Sequence, residues 1–336
     1  MKAVGYYQSL SIDHPDALQD LDLPVPTPGP RDLLVRVRAV SVNPVDTKVR
    51  ANMPPADGQA KVLGWDAVGT VEAVGTGVQH YRVGDRVYYA GSIARPGTNA
   101  ELHVVDERIA GKAPASLSDA EAAALPLTSI TAWELLFDRL QVPQDGGEGE
   151  SLLVIGGAGG VGSILVQLAR QLTRLRVIAT ASRPETRQWC LDLGAHAVID
   201  HTQALGPQLA ALGTPQVDRV ASLTHTDAHF EQIVELLRPQ GQLALIDDPK
   251  TLDVVKLKRK SLSLHWEFMF TRAVFETADM DRQRQLLDSV AALVDSGRLR
   301  TTVQAQLGSI NAANLKKAHA LIESGRALGK VVLEGF

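Results

Sequence analysis

The stretch Ser151-Leu-Leu-Val-Ile-Gly-Gly-Ala-Gly-Gly-Val-Gly162 decides how this chain is read. Gly157, Gly159 and Gly162 satisfy the spacing G-x-G-x-x-G, which alone is a weak signal. Here an apolar run (151–155) precedes it. A helix-period stripe of Val161, Ile164, Leu165, Leu168 and Leu172 follows it. That strand–turn–helix context makes the glycines a dinucleotide-binding fingerprint. Gly157 is expected to form the tight turn, Gly159 to let backbone approach a pyrophosphate, and Gly162 to let the helix pack on the sheet. The helix N-terminus adds unpaired N–H groups and partial positive charge. The phosphate cradle is therefore expected at Gly157, Ala158, Gly159, Gly160, Val161 and Gly162. A glycine-rich turn without a ligand would not explain why strand, glycines and helix agree.

The next strand selects the dinucleotide. An NAD site usually carries Asp or Glu about 20 residues on, bonding the ribose hydroxyls. Here Val177-Ile-Ala-Thr-Ala181 ends in Ser182-Arg183. A guanidinium there suits a 2′-phosphate, a charge-assisted contact of roughly 1.5–3 kcal/mol, and Ser182 can add a hydrogen bond. NADP(H) is expected over NAD(H). Glu185, just beyond, is the one candidate ribose ligand that keeps NAD(H) open, and Arg183 as a solvated helix-start residue is the plainer alternative.

Outward from this stretch, strands at 151–155, 176–180, 217–223 and 242–246 alternate with helices from about 160 and 184. Such alternation predicts a parallel sheet covered by helices. The first third differs. Val35 and Val37 alternate with Arg36 and Arg38, the period of a half-buried strand. Short Val- and Gly-rich runs at 67–74 and 87–90 flank the turn at Gly75-Thr-Gly77, and prolines at 24, 26, 28 and 30 mark an extended connector. This predicts a barrel-like, mostly antiparallel domain. Between the two regions, Ser118-Asp119-Ala-Glu121 reads as a helix start and a second helix is expected over about 129–139.

At roughly 150 residues per domain, 336 residues predict about two. Lys plus Arg total 34 against 38 Asp plus Glu, a net charge of −4 that argues against a nucleic-acid partner. The one cysteine, Cys190, excludes an internal disulfide and any Cys-rich zinc finger. No segment approaches the roughly 18 apolar residues of a membrane span, and the N-terminus lacks a secretory core. A soluble cytoplasmic protein with no membrane partner is expected.

At these residues the chain resembles the medium-chain dehydrogenase/reductase superfamily, most closely its quinone oxidoreductase-like branch. The resemblance also rests on Val42-Asn43-Pro44-Val45-Asp46, Gly64-Trp65-Asp66-Ala67-Val68-Gly69, Val83-Gly84-Asp85-Arg86-Val87, Leu125-Pro126-Leu127-Thr128, Leu193-Gly194-Ala195 and Gly329-Lys330-Val331. It implies an α/β fold: a doubly wound Rossmann domain at 126–270, and a GroES-like, mostly antiparallel β-barrel substrate domain at 1–125 completed by 271–336. It further implies an active site between the domains, a small carbonyl or quinone substrate and a homodimer.

Such proteins are often labelled zinc-type alcohol dehydrogenases. Zinc-dependent members carry Cys where this chain has Asn43 and His-Glu where it has Trp65-Asp66, and the four-cysteine structural loop is missing. Zinc needs about four N, S or O ligands, so no metal is expected. Asn43, Trp65 and Thr128 form the candidate catalytic set, with Asn43 orienting substrate or nicotinamide ribose, or merely pinning a loop. The resemblance places His201, where relatives often have Tyr, beside the adenosine phosphate. It places Thr128, Leu223, Thr224 and His225 near the nicotinamide and Lys330 at the pyrophosphate. The reading is a zinc-independent NADPH-dependent reductase of quinones or α,β-unsaturated carbonyls. A zinc-dependent alcohol dehydrogenase and a catalytically silent NADPH-binding structural or sensor protein are the alternatives.

Overall fold

The computed structural model describes all residues, 1–336. The chain forms two compact units, Met1–Ile130 with Phe270–Phe336, and Thr131–Met269. The first opens with strands β1 (Lys2–Tyr6), β2 (Gln19–Asp22), β3 (Asp32–Val42), β4 (Lys61–Val62), β5 (Ala67–Val74), β6 (Arg86–Tyr89), β7 (Leu102–Asp106) and β8 (Ala110–Lys112). β1 lies antiparallel between β2 and β4. In β3 the period of two holds at Leu33, Val35 and Val37, which are buried, while Arg38 is exposed. From Ala39 to Val42 every residue is buried, because both faces are covered there. Helix Pro44–Asn52 follows β3; the sequence pattern did not announce it, being short and mostly polar.

The second unit carries β9 (Ser151–Ile155), β10 (Arg176–Thr180), β11 (Ala197–Ile199), β12 (Val217–Ser222), β13 (Leu237–Leu245) and β14 (Ser263–Trp266). Their order is β11-β10-β9-β12-β13-β14 and every neighbouring pair is parallel. All five residues of β9 are buried, as expected of a central parallel strand covered on both faces. Strand order reverses at β9, which makes its carboxyl end the point where ligands enter such sheets. Leu153, Ile155, Ile178, Val220, Phe230 and Leu243 belong to one core cluster, and each large apolar side chain buried there stabilises the fold by about 1.5–3 kcal/mol.

The returning chain adds β15 (Val303–Gln306) and β16 (Lys330–Glu334) to the first unit. A seven-stranded sheet results, in the order β15-β16-β3-β5-β6-β8, with β7 also paired to β3. Only β15 and β16 run parallel to each other. The strand path runs open from β15 to β8, so the expected barrel is found as a mostly antiparallel sheet. The helix expected over 129–139 begins at Pro126, runs to Trp133 and passes into a π-helical segment, Glu134–Arg139. No helix is long and apolar enough to cross a membrane.

Candidate functional site

β9 delivers the chain to Gly156, which takes φ +85°. The left-handed turn therefore sits at Gly156, one residue before the expected Gly157. Gly157 serves a different need: a Cβ there would lie 2.7 Å from Ala179 Cβ. The bend is tied to β10, with the Gly156 N–H donating to Thr180 Oγ1 (3.1 Å) and the Gly157 N–H to the Thr180 carbonyl (3.1 Å). At Gly162 a Cβ would stand 2.3 Å from the Gly156 carbonyl oxygen, so helix Gly160–Leu172 can approach the bend only without a side chain. No side chain caps this helix at Gly159, which leaves its first-turn N–H groups for an anion. Gly159 is exposed, and Ala158, Gly160 and Val161 are half-buried beside it.

Thr224 and Leu223 stand against this bend. A Cβ on Gly156 would meet Thr224 Cγ2 at 3.0 Å, and the Leu223 N–H donates to the Ile155 carbonyl (3.1 Å). His225 follows in the left-handed region (φ +51°), its Nδ1 2.7 Å from Thr224 Oγ1. Asp247 accepts from the N–H of Thr226 (2.8 Å) at the start of helix Thr226–Leu236, so this carboxylate works as a helix cap.

Beyond β10, Ser182 is half-buried and Arg183 is the N-cap of helix Pro184–Asp192. Arg183 Nε lies 3.2 Å from Glu185 Oε1 with both side chains partly in solvent, a pair worth at most about 1 kcal/mol. Arg187 clamps the carbonyls of Ala181 (3.3 Å) and Val198 (3.0 Å), fixing the ends of β10 and β11 together. His201 follows β11, its ring 6.4 Å from that of His229. Burial holds both imidazoles below the usual histidine range. Cys190 is fully buried and its thiol is pushed up to about 12 by that burial, which makes it packing rather than a nucleophile.

In the first unit, three adjacent strands converge. β16 begins at Lys330, Asn43 follows β3, and Asp66 precedes β5. Asp66 is fully buried and accepts from the Leu127 N–H at Oδ1 (2.7 Å), and from Asn43 Nδ2 (2.8 Å) and Lys330 Nζ (2.9 Å) at Oδ2. Lys330 also donates to Asn43 Oδ1 and to the Val42 carbonyl (3.3 Å). Asn43 gives its backbone N–H to Asp46 Oδ2 (2.7 Å). Burial raises the Asp66 carboxyl, opposed by the Lys330 ammonium and the hydrogen bonds it receives. The Asp46 carboxyl is pushed up to about 7, again chiefly by burial. Trp65 is buried, donates Nε1 to the Ser92 carbonyl (3.2 Å) and meets Phe270 edge-on. The Thr128 hydroxyl donates to the Leu125 carbonyl (3.2 Å). The structure thus brings Asn43 into one buried network with Lys330. The resemblance assigns that lysine to a pyrophosphate; here its ammonium is held by Asp66, Asn43 and Val42.

These residues do not fit a zinc ion. Trp65 offers an N–H and no lone pair, the Asn43 amide is engaged at both ends, and both Asp66 oxygens accept internal donors. A lysine ammonium already lies among them, and no three His, Cys, Asp or Glu side chains gather as a metal would require.

Sequence reasoning missed Asp66 as the hub, and it missed a second cluster. Glu267 follows β14 and Glu134 opens the π-helical segment; both are almost wholly buried, and Arg139 Nε donates to Glu267 Oε2 (2.8 Å). Burial and the neighbouring Glu134 push the Glu267 carboxyl up to about 9. A π-helical segment within a helix is itself a common marker of a functional position, though its residues carry no distinctive pattern.

Residues 29–115 match the family described as Alcohol dehydrogenase GroES-like domain, and residues 193–333 match Zinc-binding dehydrogenase. A zinc-type alcohol dehydrogenase-like protein of Staphylococcus aureus is 38% identical over 336 residues, covering 99% of each chain. A quinone oxidoreductase of Pseudomonas aeruginosa is 29% identical, covering 95% of this chain and 96% of its own. Among solved structures, a Rhizobium etli protein described as a zinc-dependent alcohol dehydrogenase is 58% identical, with a TM-score of 0.96 over 100% of this chain and 98% of that one. A mycobacterial protein complexed with NADPH is 28% identical, with a TM-score of 0.84 over 99% of each chain. The chain belongs to the medium-chain dehydrogenase/reductase superfamily. It is an oxidoreductase of that type, similar both to proteins named for zinc and to quinone oxidoreductases.

Proposed function

We propose that this protein is a zinc-independent, NADPH-dependent reductase acting on quinones or α,β-unsaturated carbonyls. The observation that carries the cofactor choice is the end of β10. It runs into Ser182 and Arg183, with no carboxylate at the position that would bond an unphosphorylated ribose. Glu185, the rival ligand, pairs with Arg183. The mycobacterial neighbour's NADPH supports the same choice, and the Pseudomonas relative's name supports the substrate class.

In this reading the first turn of helix Gly160–Leu172 and the bend Gly157–Gly159 hold the pyrophosphate. Arg183, Ser182 and His201 hold the 2′-phosphate. Leu223, Thr224 and His225 border the nicotinamide, and Asn43, Trp65 and Thr128 are kept as the candidate catalytic set that the resemblance implies. When bound, NADPH supplies the hydride. The chain's part is orientation and hydrogen bonding to the oxygen that gains negative charge. The proton that completes the reduction comes from water, since Asp66 gives both its oxygens to the buried network. Homodimerisation belongs to the same proposal and is checked by light scattering.

The test is NADPH oxidation with benzoquinone, phenanthrenequinone and a series of alkenals, on protein stripped with a chelator. Turnover with at least one class supports the reading. Tight NADPH binding without turnover on any acceptor favours the silent binding protein instead.

A further inference from the structure

We propose that Asp66 and Lys330 are a positioning pair: a fixed internal cation holds one carboxylate, whose two oxygens set Asn43 and the start of the Thr128 helix relative to each other. The proposal rests on the roles given above to Asn43 and Thr128.

Strand register puts the three groups in a row. Val42 of β3 pairs with Val331 of β16, and Val40 of β3 pairs with Ala67 of β5. Asn43 therefore emerges between Lys330 on one side and Asp66 on the other. Lys330 is 2% exposed and Asp66 0%. Its ammonium has three hydrogens and finds three acceptors in Asp66 Oδ2, Asn43 Oδ1 and the Val42 carbonyl. A buried ammonium is tolerated only when paired and hydrogen-bonded in this way. The pair also fixes which way the Asn43 amide faces, since Oδ1 must meet the ammonium and Nδ2 the carboxylate.

The remaining Asp66 oxygen accepts the Leu127 N–H. That N–H lies in the first turn of helix Pro126–Trp133, where backbone donors have no intrahelical partner. Asp66 thus caps from a distance the helix whose next residue is Thr128. Removing the ammonium while keeping the carboxylate would leave a buried, uncompensated charge hydrogen-bonded to Asn43 and to Leu127, the residue before Thr128.

The experiment compares wild type, Lys330→Met, Lys330→Arg, Asp66→Asn and the double variant Asp66→Asn/Lys330→Met. It uses steady-state kinetics, NADPH titration and amide hydrogen exchange over 125–130. We expect Lys330→Met to lose at least tenfold in kcat while NADPH affinity changes less than threefold, and to exchange faster over 125–130. Lys330→Arg should recover much of the kcat. The double variant should exceed Lys330→Met, because no unpaired charge remains. Wild-type kcat and exchange in Lys330→Met would overturn the proposal. So would equal losses of kcat, affinity and melting temperature in Lys330→Met and Lys330→Arg, the mark of a merely structural lysine. Should wild type fail to turn over any acceptor, the oxidoreductase reading fails separately, and the exchange rates of 125–130 still decide whether the pair sets that helix start.

Discussion

Arg183 is the side chain on which nucleotide choice turns. Its pair with Glu185 is partly exposed and weak. A charge-assisted contact of roughly 1.5–3 kcal/mol corresponds to about 10- to 100-fold in affinity. Arg183→Ala should therefore raise the KM for NADPH about tenfold or more and leave that for NADH within about twofold. Equal effects on both would place Arg183 in solvent. The histidines give a pH dependence. Burial disfavours the protonated form of His201 and His229, so each takes up a proton less readily than a free imidazole. A neighbouring 2′-phosphate would favour that proton, so the preference for NADPH over NADH should grow as pH falls below the ordinary histidine value of 6.5. His201→Asn should flatten that trend, as read by calorimetry at each pH. The bend and Arg183 were legible because they lie within one strand–helix–strand passage. The Asp66–Lys330 pair was not, because its members are 264 residues apart and meet only through the register of β16, β3 and β5.

Among the elements, the helix that starts at the bend separates folding from binding. A methyl at Gly162 would collide with the Gly156 carbonyl at 2.3 Å, whereas at Gly159 the nearest neighbour is 3.6 Å away. Gly162→Ala should lower the melting temperature and abolish nucleotide binding. Gly159→Ala should leave melting unchanged yet weaken NADPH binding at least tenfold, because only the pyrophosphate needs that space. Unaltered affinity in Gly159→Ala would remove the cradle from the account. The buried Glu267 makes a second element-scale case. Its folded pKa of about 9 lies above the ordinary value of 4.5, so the fold favours the proton and loses stability as pH rises from 4.5 through 9. Glu267→Gln keeps a neutral group that can still accept from Arg139. It should melt about 2–4 °C above wild type at pH 8, a shift of about 1 kcal/mol, and equal to it near pH 4.5. Parallel strands buried on both faces announced themselves as continuous apolar runs, as in 151–155. The left-handed turn fell on Gly156 rather than Gly157 because adjacent glycines leave the turn's position undetermined until β10 packs against them.

Across the whole molecule, the two histidines held furthest down, His103 and His319, both lie in the first unit. His103 is buried between Tyr89 and the Pro96 carbonyl, and burial holds it down to about 4. His319, buried beside Arg50, is held down to about 3. Unfolded histidines take up protons near 6.5, so stability falls as pH drops from 6.5 toward those values, by on the order of 3 kcal/mol for His103 and about 5 kcal/mol for His319 at about 1.36 kcal/mol per pH unit. His103→Gln should reduce the slope of melting temperature against pH between 6.5 and 4.5, measured by calorimetry. The fold class was legible because its signals are periodic: two residues in β3, 3.6 in helix Gly160–Leu172, and strand–helix alternation beyond. The open strand path of the first unit was not, since hydrogen-bond closure leaves no mark in composition. The family name speaks of zinc, while the side chains at its ligand positions are spent on one another. The most direct measurement is calorimetric titration of chelator-stripped protein with NADPH and with NADH. The account predicts one NADPH per chain, bound at least tenfold more tightly than NADH. Absence of uptake of either nucleotide, or uptake restored only by added zinc, would contradict it.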